Sequence, residues 1–251
     1  MKEQGFLHQS GMLKPDVLAT AVLILHEQYL GDDSEWKWFL DTQPKQFPAH
    51  PLRYGEEEIH LLDGTQVQSR LASEHRALRK TYKAMSEGVE EFGERHSWDQ
   101  FLHAYLLVTT RSFVANDSKA TTMAPYVDML NHHMPPNAEW VFGIHDRNFS
   151  ASRPAAGNIE DYASGFILYI PDPVQRGEQL FISYGLKTNE QLLRSYGFML
   201  DDNIVESSLK YKVAFNKRDD ALATVKQKML MKLNVQVGTF PEEDKPGVSN
   251  S

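Results

Sequence analysis

No cysteine occurs among the 251 residues. That excludes disulfides and the cysteine clusters that hold structural zinc. No run of about 18 apolar residues occurs either, so no membrane-spanning helix is expected. The opening stretch, MKEQGFLHQSGMLK, lacks the charged, then apolar, then small-residue order of a secretory signal. The sequons at Asn116 and Asn148 therefore read as chance matches. Positive charge is also short: 26 Lys and Arg face 34 Asp and Glu, a net charge of −8. Nucleic-acid binding needs a basic footprint, so that class of partner is not expected. A basic protein segment remains open as a partner, since mild electrostatic steering would favour it. Hydrophobic residues at 41% and charged residues at 24% suit a soluble globular protein of one or two domains.

The first hundred residues read as helical. Residues 1–13 are polar and read as poorly ordered. From Pro15, the residues Val17, Leu18, Ala21, Val22, Leu25 and Tyr29 recur at three- and four-residue spacing, with Gly31 as a stop. Ser34–Leu40 reads as a short aromatic helix; its rings, Trp36, Trp38 and Phe39, could form a peptide-binding surface, but core packing is the leading reading. Prolines 44, 48 and 51 mark an extended connection. Glu56–Glu58 reads as a charged first helical turn and not as a metal site. A longer helix runs through Leu71, Leu78, Tyr82 and Met85, and Ser97 opens another through Thr110.

From Met123 the period drops toward two. Trp140, Phe142 and Ile144 alternate, as do Phe166, Leu168 and Ile170, and Leu180, Ile182 and Tyr184. Residues 146–162 read as a loop, Val205–Phe215 as a strand pair or extended segment, and Arg218–Leu233 as a helix. The tail from Gly238 reads as disordered.

Two stretches stand out. Pro125–His133, PYVDMLNHH, is an apolar run that ends in Asn131 and His132, whose polar groups need partners if buried. Gly177–Phe198, GEQLFISYGLKTNEQLLRSYGF, reads as turn, strand, turn and capped helix. Tyr184 closes the strand beside Gly185. Thr188 and Gln191 have capping-box spacing, and Gly197 has the place of a helix C-cap. His132 and His133 are adjacent, point to different sides, and have no third ligand at metal spacing, so no metal is expected. On the residues alone, Tyr184 reads either as a core tyrosine with its hydroxyl at the rim or as a site residue.

The ordered set Asp128-x-x-Asn131-His132, Gly177-Glu178-x-Leu180-x-Ile182-x-Tyr184-Gly185 and Asn189-Glu190-x-Leu192-Leu193-x-x-Tyr196-Gly197-Phe198 resembles the C-terminal half of a SET domain. More narrowly, it is similar to the branch of the Rubisco large-subunit lysine methyltransferase and the actin-histidine methyltransferase. The likeness runs from Lys14 to about Leu200. It implies an α+β fold: a small, mostly antiparallel β SET domain with a large helical insertion (14–110), the C-terminal half of the SET domain (111–200), and the start of a helical substrate-binding domain (201–237). It implies methyl transfer from S-adenosylmethionine to a protein lysine, an in-line displacement that depends on positioning. Tyr184 would be catalytic, its hydroxyl beside the methyl group. Arg111, 17 residues before Asp128, would meet the cofactor carboxylate. Asp128, Asn131, His132, Tyr184, Tyr196 and Phe198 would line the cofactor site, and Phe113, Asp128 and Tyr184 the substrate channel. Aromatic walls suit a methylated cation.

A lysine must first lose a proton, at about 4.6 kcal/mol at pH 7, whereas a histidine titrates near neutrality. These motifs are shared by both kinds of relative, and lysine is the leading reading. A complete SET domain also carries a Gly-x-Gly-type turn upstream of the position of Lys14, and GFLHQSGML lacks it. An incomplete chain is therefore expected, with a non-catalytic SET-derived binding module as the alternative. The resemblance further implies a monomer acting on a protein inside the cell, without distinguishing cytoplasm, nucleus and plastid.

Overall fold

A computed structural model of the chain describes residues 13–114, 120–142, 165–205 and 222–232. Pro15 needs no N–H partner at a helix start and opens α1 (Pro15–Leu30), which Gly31 ends at φ 58°. After the short α2 (Lys37–Thr42) and α3 (Glu56–His60), Thr65 caps the long α4 (Gln66–Gly88) by accepting from the Gln68 N–H. The one-turn α5 (Phe92–Arg95) leads to α6 (Trp98–Arg111). Ser97 and Gln100 exchange side-chain-to-backbone bonds at 3.3 and 2.8 Å, so the start of α6 is fixed by a capping box.

The core lies among α1, α4 and α6. Phe101, Leu102 and every residue from Ala104 to Thr109 are buried, so α6 runs through the middle of the block. Each large apolar side chain there contributes roughly 1.5–3 kcal/mol by leaving water. One charged residue sits inside this core. Glu74 of α4 accepts from the Tyr105 hydroxyl at 2.6 Å, with Arg194 at 3.9 Å from its other oxygen. Burial pushes the Glu74 carboxyl above its usual range, against the Tyr105 bond and the Arg194 charge.

Leaving α6, the chain forms β1 (Ser112–Val114), paired antiparallel with β2 (Thr121–Met123). β3 (Asn131–His132) pairs parallel with β6 (Phe181–Ile182), while β4 (Glu139–Phe142) and β5 (Phe166–Tyr169) pair antiparallel. The fold is thus α+β with small, mostly antiparallel sheets. α7 (Asn189–Tyr196) and α8 (Ala223–Lys232) follow. Among the described residues no helix is long and apolar enough to cross a membrane.

Two expectations need correction. Trp36 and Trp38 are 44% and 52% exposed, and only Phe39 of that group is buried. A helix of six residues has one inward face, and Phe39 takes it. Its start also moves to Lys37, because Ser34 accepts from the Trp36 N–H and donates to Glu27, holding the preceding turn open. Leu13, read as part of a loose N-terminus, is buried against the core. Ile144, both sequons, the 146–162 loop, nearly all of 205–215 and the tail from 238 lie outside the described residues.

Candidate active site

Asp128 enters on a single 3-10 turn, Val127–Met129. The residue before it, Tyr126, has φ 71°, which turns the chain so that Asp128 points inward. Asp128 is only 5% exposed, and a carboxylate so placed needs donors. Arg111, the last residue of α6, approaches Oδ2 with Nη1 at 3.3 Å and also donates to the Asp128 carbonyl at 3.0 Å. Gln43 donates from Nε2 to the same Oδ2 at 3.1 Å. Asp128 Oδ1 and Gln43 Oε1 are buried acceptors with no hydrogen-bond partner.

Two residues further on, Leu130 offers its carbonyl to the Tyr184 hydroxyl at 2.9 Å. The β3–β6 pair then sets His132 against the end of β6. His132 Nδ1 accepts the Tyr184 N–H at 3.1 Å, which puts the ring proton on Nε2. The Ile182 carbonyl, 3.4 Å from the same nitrogen, is then a close approach between two acceptors. Burial lowers the His132 pKa, so the ring is neutral at pH 7. It stacks on Tyr184 with centroids 5.2 Å apart and planes 18° from parallel. Tyr184 also meets Tyr196 at 4.9 Å and Phe198 at 6.4 Å.

These two rings arrive from the end of α7. Thr188 and Gln191 form the capping box that starts this helix, and Gly197 ends it at φ 79°. A Cβ on Gly197 would fall 2.9 Å from His50 Cα and 3.0 Å from the Ala49 carbonyl oxygen. Only glycine permits both the turn and the approach, so it seats the Tyr196–Phe198 corner against the His50 turn.

Burial pushes the Tyr184 hydroxyl above its ordinary pKa, with Arg111 opposing and Asp128 reinforcing. Burial does the same to Tyr196, helped by Tyr184. Both phenols are therefore protonated at neutral pH. Because Tyr184 spends its proton on Leu130, its oxygen lone pairs remain to face a positively charged group.

Of the residues singled out in the sequence, the structure gathers Arg111 with Asp128, and Tyr184 with His132, Tyr196 and Phe198. Phe113 stands in a second aromatic group, 4.9 Å from Trp140 and 5.3 Å from Phe166. Asn131 is exposed on β3. Sequence reasoning missed Gln43, whose contact with Asp128 spans 85 positions, and the Leu130 carbonyl, which no side-chain motif could reveal.

No family model matches the chain. A solved structure of the SET domain of LSMT bound to lysine and AdoHcy matches with a TM-score of 0.61 at 21% identity, over 89% of this chain and 49% of that one. The fold is that of a SET domain. Its sequence is similar to protein N-methyltransferases: it is 28% identical over 179 residues to the chloroplastic Rubisco large-subunit N-methyltransferase of Nicotiana tabacum, covering 69% of this chain and 34% of that protein. It is 27% identical over 181 residues to the chloroplastic fructose-bisphosphate aldolase lysine N-methyltransferase of Arabidopsis thaliana, covering 70% and 35%. The chain thus spans about a third of the length of these curated relatives. The Asp128 turn, the β3–β6 pair and the α7 corner are the parts of this fold that assemble its tyrosine cluster.

Proposed function

We propose that this chain carries part of an S-adenosylmethionine-dependent protein-lysine N-methyltransferase, with Tyr184 as its catalytic residue. The observation that carries the reading is the Tyr184 hydroxyl, held by the Leu130 carbonyl at 2.9 Å within the His132–Tyr196–Phe198 cluster. S-adenosylmethionine, when bound, supplies an electrophilic methyl group on a sulfonium. Ring faces and phenol lone pairs fit such a cation, and the buried Asp128 carboxylate adds negative potential. Arg111, Asp128, Asn131, His132, Tyr196 and Phe198 would hold the cofactor, and Phe113, Asp128 and Tyr184 the substrate lysine. His132 holds the Tyr184 backbone and so positions its ring. The aromatic surround would lower the lysine pKa by excluding water, which reduces the cost of the deprotonation that precedes transfer.

In this reading 14–110 is the helical insertion, 111–200 the C-terminal half of the SET domain, and 201–237 the start of a substrate-binding domain. The partner is a lysine-bearing protein inside the cell, met by a monomeric chain; nucleic acid and membrane are not partners.

Isothermal titration of the chain with S-adenosylmethionine tests the cofactor reading, and labelled methyl transfer to Rubisco or aldolase tests the activity. Saturable binding is expected. Tyr184→Phe should retain it while turnover falls on the order of 100-fold, as for loss of one preorganised polar group. A folded chain that binds no cofactor would sink the proposal.

A further inference from the structure

Three exposed rings stack into a ladder beside the Asp128 turn. Trp36 and Trp38 have centroids 6.4 Å apart and planes 21° from parallel. Trp38 and Tyr126 stack at 6.1 Å and 29°. Trp36 and Trp38 come from the start of α2, and Tyr126 comes from the turn that delivers Asp128. Tyr126 is 72% exposed, beside Trp38 at 52%. Burial therefore does not account for the arrangement, since stacked indoles left in water gain little from the area they cover.

Two further observations point to an occupant. Tyr126 holds φ 71° with ψ −43°, a conformation that is strained for a side-chain-bearing residue and of the kind that concentrates at functional sites. The segment that carries the indoles is acidic: Asp32, Asp33, Glu35 and Asp41 stand against the single Lys37. Lys37 pairs with Asp32 and Asp41 at 3.4 and 2.8 Å, and Lys45, just beyond the segment, approaches Asp41 at 4.0 Å, which leaves Asp33 and Glu35 outside those pairs. Negative ring faces on a segment with a surplus of carboxylates are the kind of surface a guanidinium or ammonium selects.

We propose that the Trp36–Trp38–Tyr126 ladder is a docking surface for a cationic side chain, arginine above all, in the protein substrate near its target lysine. The proposal rests on the lysine-methyltransferase reading for where that lysine goes. Tyr126 lies four residues before Leu130, whose carbonyl holds the Tyr184 hydroxyl. Four residues span at most about 14 Å, and the intervening 3-10 turn shortens that. An extended substrate covers the same distance in about four residues, so the arginine falls within about four positions of the lysine. Arginine is favoured over lysine because its planar, weakly hydrated guanidinium stacks on rings. The ladder is also linked mechanically to the site. Gln43, the C-cap of α2, donates to Asp128, so both ends of the ladder stand on elements that hold this carboxylate.

The test uses the whole chain and short peptides with a central lysine and one arginine moved stepwise outward. Each peptide has a twin in which citrulline replaces arginine, keeping the shape and removing the charge. Binding is followed by indole fluorescence, and S-adenosylmethionine binding is titrated on the same preparations. At the best position the arginine peptide should bind about tenfold tighter than its twin. Trp38→Ala should bring that ratio near one, and Trp38→Phe should keep most of it. Tyr126→Gly should also lower it while removing the backbone strain at that position, because glycine adopts that conformation freely. Cofactor binding should be unchanged in the two Trp38 variants, which leave the turn before Asp128 untouched. Equal affinity for arginine and citrulline peptides, with cofactor binding intact, overturns the ladder proposal. Arginine preference without any cofactor binding keeps the ladder and removes the methyltransferase reading instead. Concentration-dependent sedimentation that Trp38→Ala abolishes would show a second copy of the chain covering the rings, and would also overturn it.

Discussion

Gln43 and Arg111 place their donors on the same oxygen of Asp128, at 3.1 and 3.3 Å. The two contacts differ in kind. Arg111 is partly exposed and carries the compensating charge, while Gln43 is buried and neutral. Replacing Gln43 by leucine should leave the charge pair in place and remove one hydrogen bond to a buried carboxylate, a loss of about 1–3 kcal/mol in urea denaturation. Gln43→Glu should cost more at pH 8, since it faces Asp128 with a second carboxylate, and should recover toward pH 4 as the introduced carboxyl takes a proton. Equal destabilisation at both pH values would show that shape, and not charge, matters there. Asp128 was legible in the sequence because it stands in a dense local pattern, Asp-x-x-Asn-His, ahead of a tyrosine at a strand end. Gln43 was not legible: it lies in a polar, proline-rich connection, with no periodicity to mark it. Long-range polar pairs of this kind are set by how helices pack, which no local window contains.

α7 shows what is legible at the scale of an element. Its start and stop are local chemistry, a Thr–Gln capping box and a glycine C-cap, and both are found where the sequence put them. The close approach of Gly197 to Ala49 and His50 is tertiary and was not legible. It gives Gly197→Ala two costs: a left-handed conformation for a residue with a Cβ, and a contact at 2.9–3.0 Å with backbone that cannot rotate away. Together these should remove about 2–4 kcal/mol of stability. The Tyr196–Phe198 corner should shift with them, so cofactor affinity should fall as well. A Gly197→Ala chain with unchanged urea midpoint and unchanged S-adenosylmethionine affinity would mean that the corner gives way freely. α2 is the opposite case. Its aromatic composition reads as core, yet two of its three rings are exposed, because six residues are too few for a periodicity to show which face turns inward.

Over the whole molecule, ionisation ties stability to pH with a definite sign. His50 has its pKa pushed down to about 4 from 6.5, by burial first, and also by Arg53 and Arg194; its bond to the Ser195 backbone opposes them. His75, His96, His103 and His132 are lowered too, each by burial first. A histidine that is harder to protonate when folded takes up its proton preferentially in the unfolded chain. Its contribution is therefore complete above pH 6.5 and is lost as pH falls toward the folded value. For His50 alone the loss reaches about 3 kcal/mol by pH 4. Glu74 acts in the opposite direction. Its raised carboxyl favours the folded state as pH falls, so it blunts the acid limb near its own titration without reversing five histidines. At the alkaline end, Tyr105, Tyr184 and Tyr196 are all raised by burial, so the unfolded chain ionises first and stability declines above pH 10. A plateau between about pH 7 and 10 with a steep acid side is expected from urea midpoints across pH 4–10. His50→Asn keeps an acceptor for the Leu52 N–H, which His50 Nδ1 now takes at 3.2 Å, and removes the titration. Its acid limb should be shallower than that of the unaltered chain by up to about 3 kcal/mol between pH 6.5 and 4, whatever its stability at pH 8. Parallel acid limbs for the two proteins would move the acid sensitivity to the other four histidines and take His50 out of the account.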